Sequence, residues 1–202
     1  MENLKLLKMN KIELEQNTSL WHKHRINYIN ASEVAAIMNL NPFESRKKIL
    51  EKKIFYQKQE MNGAMRHGKR LEPQARFFFN QYKKKNFLPI VCVKDFMSAS
   101  LDGWDDQTKS LLEIKCPISF KTKTWKYFFE KEKIPMIYYA QIQAQIYCSR
   151  AEKAYFLVYQ NDKNLKIQEI EKNKNFINNM LTICQEFYNI FQQTKIFLNK
   201  II

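Results

Sequence analysis

The sequence predicts an α/β fold, a small mixed β-sheet flanked by helices. Three observations carry this expectation. Apolar residues recur at helical spacing in the early and late parts of the chain, the middle holds short apolar runs bounded by Asp, Gly and Pro, and only three Gly and five Pro punctuate 202 residues. Sparse punctuation leaves long stretches compatible with helix. The order helices, strands, helices belongs to a layered α/β architecture rather than to a bundle or a barrel. Hydrophobic residues make up 45% of the chain, enough to bury a core and to exclude a disordered chain. With no linker-like stretch and no internal repeat, a single domain is expected over 1–202, with an N-terminal extension (1–20) and a C-terminal helix (171–202).

In chain order, 31–39 and 43–60 read as helices separated by Asn41-Pro42, with Ser32 at or just inside the first cap. Residues 62–85 read as a helix, because Met65, Leu71, Ala75 and Phe78 or Phe79 follow helical spacing. Pro73 is expected to break or kink it just after Glu72. Strands are expected at 88–94 and 96–101, a polar turn at Asp102-Gly103 and 105–109, and a strong strand at 111–116 ended by Pro117. Helices follow at 120–131 and 135–149, the second with Pro135 in its first turn. A hairpin is expected from 154–160 and 165–170 around 161–164, then one long amphipathic helix to the end.

Lys and Arg number 34 against 20 Asp and Glu, a formal charge of +14. Such an excess points to a polyanionic partner such as nucleic acid. A lysine-rich coding bias gives the same number, since Asn and Ile are abundant too, and charge does not separate an enzyme from a passive binder. The opening MENLKLLKMNKIELEQ carries charges throughout and lacks a signal-peptide core. No segment approaches the ~20 apolar residues of a membrane span, so a cytoplasmic protein with no membrane partner is expected. Cys92, Cys116, Cys148 and Cys184 are far apart and form no CxxC pair. That spacing argues against zinc or an iron–sulfur cluster and for free, buried thiols.

The chemistry concentrates in SASLDGWDDQTKSLLEIKCP, residues 98–117. Side chains alternate along a strand, so Glu113 and Lys115 point to one face. A hairpin returns Asp102 beside them, and two carboxylates and an ammonium converge. Hard cations such as Mg²⁺ or Mn²⁺ take oxygen ligands and keep several waters. An ion so held can grip a phosphate oxygen and acidify a water, while the lysine orients that water or shares its proton. Taken alone, Glu-x-Lys is a surface ion pair, and Glu51-Lys52-Lys53 is another instance. The upstream Asp-Gly and the apolar strand around Glu113 raise it to the PD-(D/E)xK nuclease signature. Glu72 shares a helical stripe with Met65, Gly68, Leu71 and Ala75, and Gln143 shares one with Met136, Ala140 and Tyr147. A carboxylate facing inward needs a partner. A metal centre supplies one, as does an ordinary hydrogen bond.

WHKHRINYINASEV (21–34), MRHGKRLEPQAR (65–76), SLDGWDD (100–106), LEIKCP (112–117) and YYAQIQAQIY (138–147) together resemble, in order, the motifs of lambda exonuclease and the related YqaJ-type viral recombinases. The resemblance implies a PD-(D/E)xK, restriction-endonuclease-like core. It implies a metal-dependent (Mg²⁺ or Mn²⁺) enzyme that digests one strand of duplex DNA processively, 5′ to 3′, in phage-type recombination. Glu72, Asp102 and Glu113 match the family's acidic positions near the metal, the backbone carbonyl of Ile114 a further ligand, Lys115 the catalytic lysine and Gln143 the active-site glutamine. Arg25 and Ser32 match residues that hold the 5′-phosphate, joined by Ser100. Arg offers a charged fork for phosphate, and a serine at a helix start adds donors. Partners implied are double-stranded DNA ends, a single-strand annealing protein and further copies of the chain in a trimer. Leu101 stands where the family usually has proline, and nothing from about 171 onward matches.

Two other readings share these residues. A related endonuclease would cut covalently closed circles, whereas Arg25 with Ser32 suits a terminal phosphate. A non-catalytic DNA-binding module would bind in a salt-sensitive way but leaves the acidic cluster unexplained. Trp21 and Trp104 border the expected site without an assigned role. The lysines at 83–85 and 121–133 are candidate phosphate contacts or solvated faces.

Overall fold

A computed structural model describes residues 9–57 and 60–200. Residues 1–8 of the expected N-terminal extension, 58–59 at the end of the expected 43–60 helix, and 201–202 of the expected C-terminal helix lie outside the described residues.

The order is β1 (Asn10–Ile12), α1 (Ser19–Asn27), β2 (Ile29–Asn30), a 3₁₀ turn (Ala31–Glu33), α2 (Val34–Ile37), α3 (Arg46–Ile54), α4 (Gly63–Lys83), β3 (Leu88–Lys94), β4 (Met97–Asp105), β5 (Ser110–Lys115), α5 (Lys123–Lys131), α6 (Met136–Ser149), β6 (Lys153–Asn161), β7 (Asn164–Glu171) and α7 (Lys174–Asn199). Local chemistry sets many of these limits. Thr18, Ser45, Asn62 and Asn173 cap helix starts by accepting backbone N–H groups two or three residues into the helix. Lys84, Glu132 and Arg150 take left-handed backbone angles where α4, α5 and α6 stop.

The seven strands form one sheet in the order β1-β3-β4-β5-β6-β7, with β2 pairing parallel to β4 at Ile29–Met97 and Asn30–Ser98. β5 and β6 are parallel, and the other neighbours are antiparallel. A parallel pair needs a crossover, which α5 and α6 supply. Strand alternation then sorts side chains to two faces. Leu111, Phe156 and Val158 join the larger core with α2, α6 and α7, while Leu112, Ile114, Tyr155 and Leu157 join a smaller core with Ala75 and Phe79 of α4. The sheet is thus covered by α4 on one side and by α6 and α7 on the other, an α/β layering of the kind the sequence predicts.

Five details differ from expectation. α4 runs unbroken through Pro73. The proline removes the N–H that would reach the Lys69 carbonyl, but Lys69 is exposed, and packing of Ala75 and Phe79 holds the next turns. Asp102-Gly103 lies within β4 rather than in a turn. The turn falls later, where Asp105 Oδ2 accepts the Thr108 N–H at 2.9 Å and Lys109 has φ 48°. Helix 43–60 shortens to α3 because Ser45 caps its start and Tyr56 turns left-handed after its end. Residues 31–39 form a 3₁₀ turn and a single α-turn rather than one helix. β1, α1 and β2 have no counterpart in the sequence-based expectation. β1, inside the expected N-terminal extension, adds an edge strand to the sheet.

Candidate active site

β4 carries an extra residue where it passes β3. Leu88 pairs with Trp104 and Ile90 with Leu101, so a step of two on one strand faces a step of three on the other. A bulge of this kind bends a strand and re-aims its side chains, and Asp102 and Gly103 occupy it. Gly103 is required by packing. A Cβ there would stand 2.8 Å from the Phe87 Cβ and 3.1 Å from the Leu112 Cβ. On its other edge β4 pairs with β5 only from Gly103 to Asp105. Beyond that point the strands part, and Asp102 Oδ2 accepts the Ile114 N–H at 2.7 Å in place of a ladder bond.

The parting opens a cleft of about 620 Å³ lined by Glu72, Asp102, Glu113, Ile114, Lys115 and Gln141. Four of the five residues expected to carry catalysis thus meet, drawn from α4, β4 and β5. Glu113 is buried, and both its oxygens are engaged. Oε1 accepts from Lys115 Nζ and from Gln141 Nε2 at 2.7 Å, and Oε2 from Gln145 Nε2 at 2.6 Å. Arg76 Nη1 pairs with Glu72 Oε1 at 3.2 Å and donates to the Asp102 carbonyl. Lys115 Nζ also stands 5.1 Å from the centre of the Tyr138 ring.

The electrostatics are those of crowded carboxylates. Burial, then Glu113 and Glu72, hold the Asp102 carboxyl well above its usual range. Burial raises Glu72 as well, Arg76 draws it back and Glu113 pushes it further up. Burial works against the Lys115 ammonium, but Glu113 and Asp102 outweigh it, so Lys115 stays protonated. Cys116, which also lines the cleft, is pushed up to about 12 by burial and remains a thiol. All four cysteines are free and buried.

The donor set suits a hard divalent cation in kind, since carboxylates are its preferred ligands and their mutual repulsion marks a site short of positive charge. As the side chains stand, no group of three His, Cys, Asp or Glu among the described residues is arranged to hold an ion. The carboxylates are instead engaged by the partners just named: Lys115, Gln141 and Gln145 on Glu113, the Ile114 N–H on one Asp102 oxygen, and Arg76 on Glu72. Gln145 Oε1 is buried without a hydrogen-bond partner among the described residues. Its amide cannot flip to relieve this, because only the NH₂ end can donate to Glu113.

Gln143 does not reach the cleft. Its Nε2 donates to the Glu171 carbonyl at 2.9 Å and its Oε1 accepts the Asn173 N–H at 2.9 Å, tying α6 to the joint between β7 and α7. On a helix, i and i+4 share a face while i+2 points away. Gln141 and Gln145 therefore face Glu113, and Gln143 faces the opposite side. α6 is buried nearly all round, so its apolar stripe did not single out which glutamine faces the cleft.

The three residues expected to hold a terminal phosphate form a second group. Arg25 Nη2 donates to Ser32 Oγ at 3.0 Å. Ser100 joins through Trp21, whose Nε1 donates to Ser100 Oγ at 2.8 Å while the Arg25 guanidinium sits 4.6 Å from its ring centre. Trp21 is thus the missing link, unassigned from sequence because a lone Trp carries no signal of its partners. Ser100 lies two residues from Asp102 on β4, and its carbonyl accepts from Gln145 Nε2 at 3.4 Å, so one amide touches both groups.

Among solved structures, the chain is similar to an alkaline exonuclease from Laribacter hongkongensis, with 25% identity and a TM-score of 0.76 over 91% of this chain and 97% of that one. A complex of that exonuclease with dAMP matches at 24% identity and a TM-score of 0.75, over 91% and 97%. A phage-related exonuclease from Haemophilus somnus 129PT matches at 14% identity and a TM-score of 0.61, over 86% and 98%, a likeness of fold. No curated protein matches the chain. No helix among the described residues is long and apolar enough to cross a membrane. The YqaJ-like viral recombinase domain matches residues 20–152, well over half of the chain and spanning both residue groups, and the chain belongs to that family.

Proposed function

We propose that this protein is a metal-dependent deoxyribonuclease, a phage-type exonuclease that digests one strand of linear duplex DNA from a 5′-phosphorylated end. The family and the alkaline exonuclease it resembles support the exonuclease class. The observation that carries the chemistry is the meeting of Glu72, Asp102, Glu113 and Lys115 in one cleft. A divalent ion held by Asp102 and Glu113, with the Ile114 carbonyl and Glu72 beside it, would supply Lewis-acid activation of the phosphate and of a water. Mg²⁺ or Mn²⁺ suits these oxygen donors.

The chain's own residues do the rest. Lys115 is protonated, so it acts as a donor that orients the attacking water and offsets charge growing on the phosphate. Gln141 and Gln145 fix the Glu113 carboxylate. Arg25, Ser32 and Ser100 take the terminal phosphate and so set where the strand lies along β4. Further copies of the chain in a trimer and a single-strand annealing protein belong to the same reading, as does a single domain over 1–202.

The test incubates end-labelled linear duplex with Mg²⁺ and follows nucleotide release. Wild type is expected to release nucleotides, and Lys115→Ala to lose about 10²–10³-fold, the usual scale for a lost donor that stabilises developing charge. An equally active variant, or an inert wild type, ends this reading. Cutting of closed circles would point to an endonuclease instead.

A further inference from the structure

A buried ammonium is expensive unless all its donors are paired. Lys53, on α3, keeps only 4% of its side chain exposed. Its Nζ donates to the Tyr28 carbonyl at 2.6 Å and the Arg25 carbonyl at 3.2 Å, and pairs with Glu33 Oε2 at 2.8 Å. Three donors meet three acceptors. Glu33 Oε2 also accepts the Asn30 N–H at 3.0 Å, and Asn30 Nδ2 donates to the same two carbonyls, at 2.8 Å to Arg25 and 3.2 Å to Tyr28. Burial pulls the Lys53 pKa down and Glu33 pulls it back.

The position of this knot gives it meaning. Arg25 lies in the last turn of α1 and Tyr28 just beyond it, where helical carbonyls lack partners of their own. Glu33 ends the turn that carries Ser32. One ammonium therefore ties the backbone that presents Arg25 to the turn that presents Ser32, and those side chains stand 3.0 Å apart. Fold stability gives little reason for an ion pair here, since well-packed apolar residues often serve as well as a buried pair or better. Fixed geometry does give a reason: sites that bind through a few polar groups need those groups held by a supporting layer.

We propose that Lys53 is a positioning residue that sets the Arg25–Ser32 spacing and thereby the selectivity for 5′-phosphorylated over 5′-hydroxyl DNA ends; this rests on the phosphate-binding reading given above. The experiment measures kcat and KM on duplexes differing only in the 5′ group, for wild type, Lys53→Met and Glu33→Gln, with a thermal melt of each. Wild type is expected to prefer the phosphorylated end. In Lys53→Met the KM for phosphorylated ends is expected to rise about tenfold, the scale of one charge-assisted hydrogen bond. Its rate on hydroxyl ends should stay within about twofold of wild type, because the cleft does not touch Lys53. Glu33→Gln, which removes the charge and keeps an acceptor for Asn30, is expected to lose selectivity in the same direction.

A selective wild type with an equally selective Lys53→Met overturns this proposal alone. So does a variant slowed by the same factor on both ends, or a failure of both variants to fold, since the network would then be structural only. A wild type indifferent to the end group overturns the phosphate reading itself, and is seen before any variant is made.

Discussion

Asp102 accepts the backbone N–H of Ile114 at 2.7 Å across the gap where β4 and β5 stop pairing. That bond spans the gap that makes the cleft, and it is made by a half-buried carboxylate beside two others, Glu113 and Glu72.

The arrangement has a stability cost that depends on pH. The Asp102 carboxyl is raised well above its ordinary value of 3.8 by burial, then by Glu113 and Glu72. A raised carboxyl contributes stability below its unfolded-state pKa and loses it as pH rises through the folded value. The ion-free protein is therefore expected to melt at lower temperature as pH climbs from about 4 through the raised titration. Asp102→Asn should melt higher than wild type at neutral pH, flatten this dependence and abolish hydrolysis. Added Mg²⁺ should raise the wild-type midpoint and leave the variant unmoved. Melts in chelator and in Mg²⁺ across pH check this, and an unchanged slope in Asp102→Asn refutes the assignment.

The glutamines of α6 separate by role. Gln141→Leu is expected to lower kcat about tenfold or more, because Glu113 is then held by one amide fewer, with little change in melting. Gln143→Leu is expected to leave activity per folded molecule within about twofold and to cost about 1–3 kcal/mol, because the Glu171 carbonyl and Asn173 N–H are left without their partner. Paired kinetics and denaturation of the two variants decide it. The reverse pattern would return Gln143 to the active site.

Gly103→Ala tests the bulge. Its new Cβ would meet Phe87 at 2.8 Å and Leu112 at 3.1 Å, backbone-proximal atoms with little room to yield. Overpacking of this kind costs about 1–3 kcal/mol, read as a shift in denaturant midpoint. Because Asp102 is the neighbouring residue, activity is expected to fall further than stability accounts for. An unaffected enzyme would mean the bulge does not aim Asp102.

Thr122 and Trp125 of the α5 region line the cleft, and Lys121, Lys123 and Lys126 beside them are exposed with no ion-pair partner among the described residues. Carboxylates facing DNA repel it, and these lysines offset that. Their triple change to Gln, in a Lys115→Ala background, is expected to reduce the slope of log affinity against log salt by about 2–3, since each phosphate that a lysine neutralises adds about 0.7–0.9 to it. Binding of labelled duplex across a salt series measures it, and an unchanged slope makes them a solvated face.

What the sequence determined is what depends on neighbours along the chain. Alternation placed Glu113 and Lys115 on one side of a strand, and helical spacing placed Glu72 on the inward stripe of α4. The ordered motifs marked the family. What only the tertiary structure decided is what depends on residues far apart in sequence. At the Asp102-Gly103 bulge, Phe87, just ahead of β3, and Leu112 of β5 crowd a position where only glycine fits; both come from elsewhere in the chain, so the local Asp-Gly signal reads as a turn. Gln143 and Gln141 differ by two positions on a helix buried nearly all round, and only the place of Glu113 on β5 tells which of them faces the cleft. Lys53 looks in sequence like one more lysine on a basic helix. Its burial depends on carbonyls at the end of α1, a short helix whose weak apolar pattern gives no sign of it, because unpaired backbone groups are satisfied by whatever the folded chain brings to them.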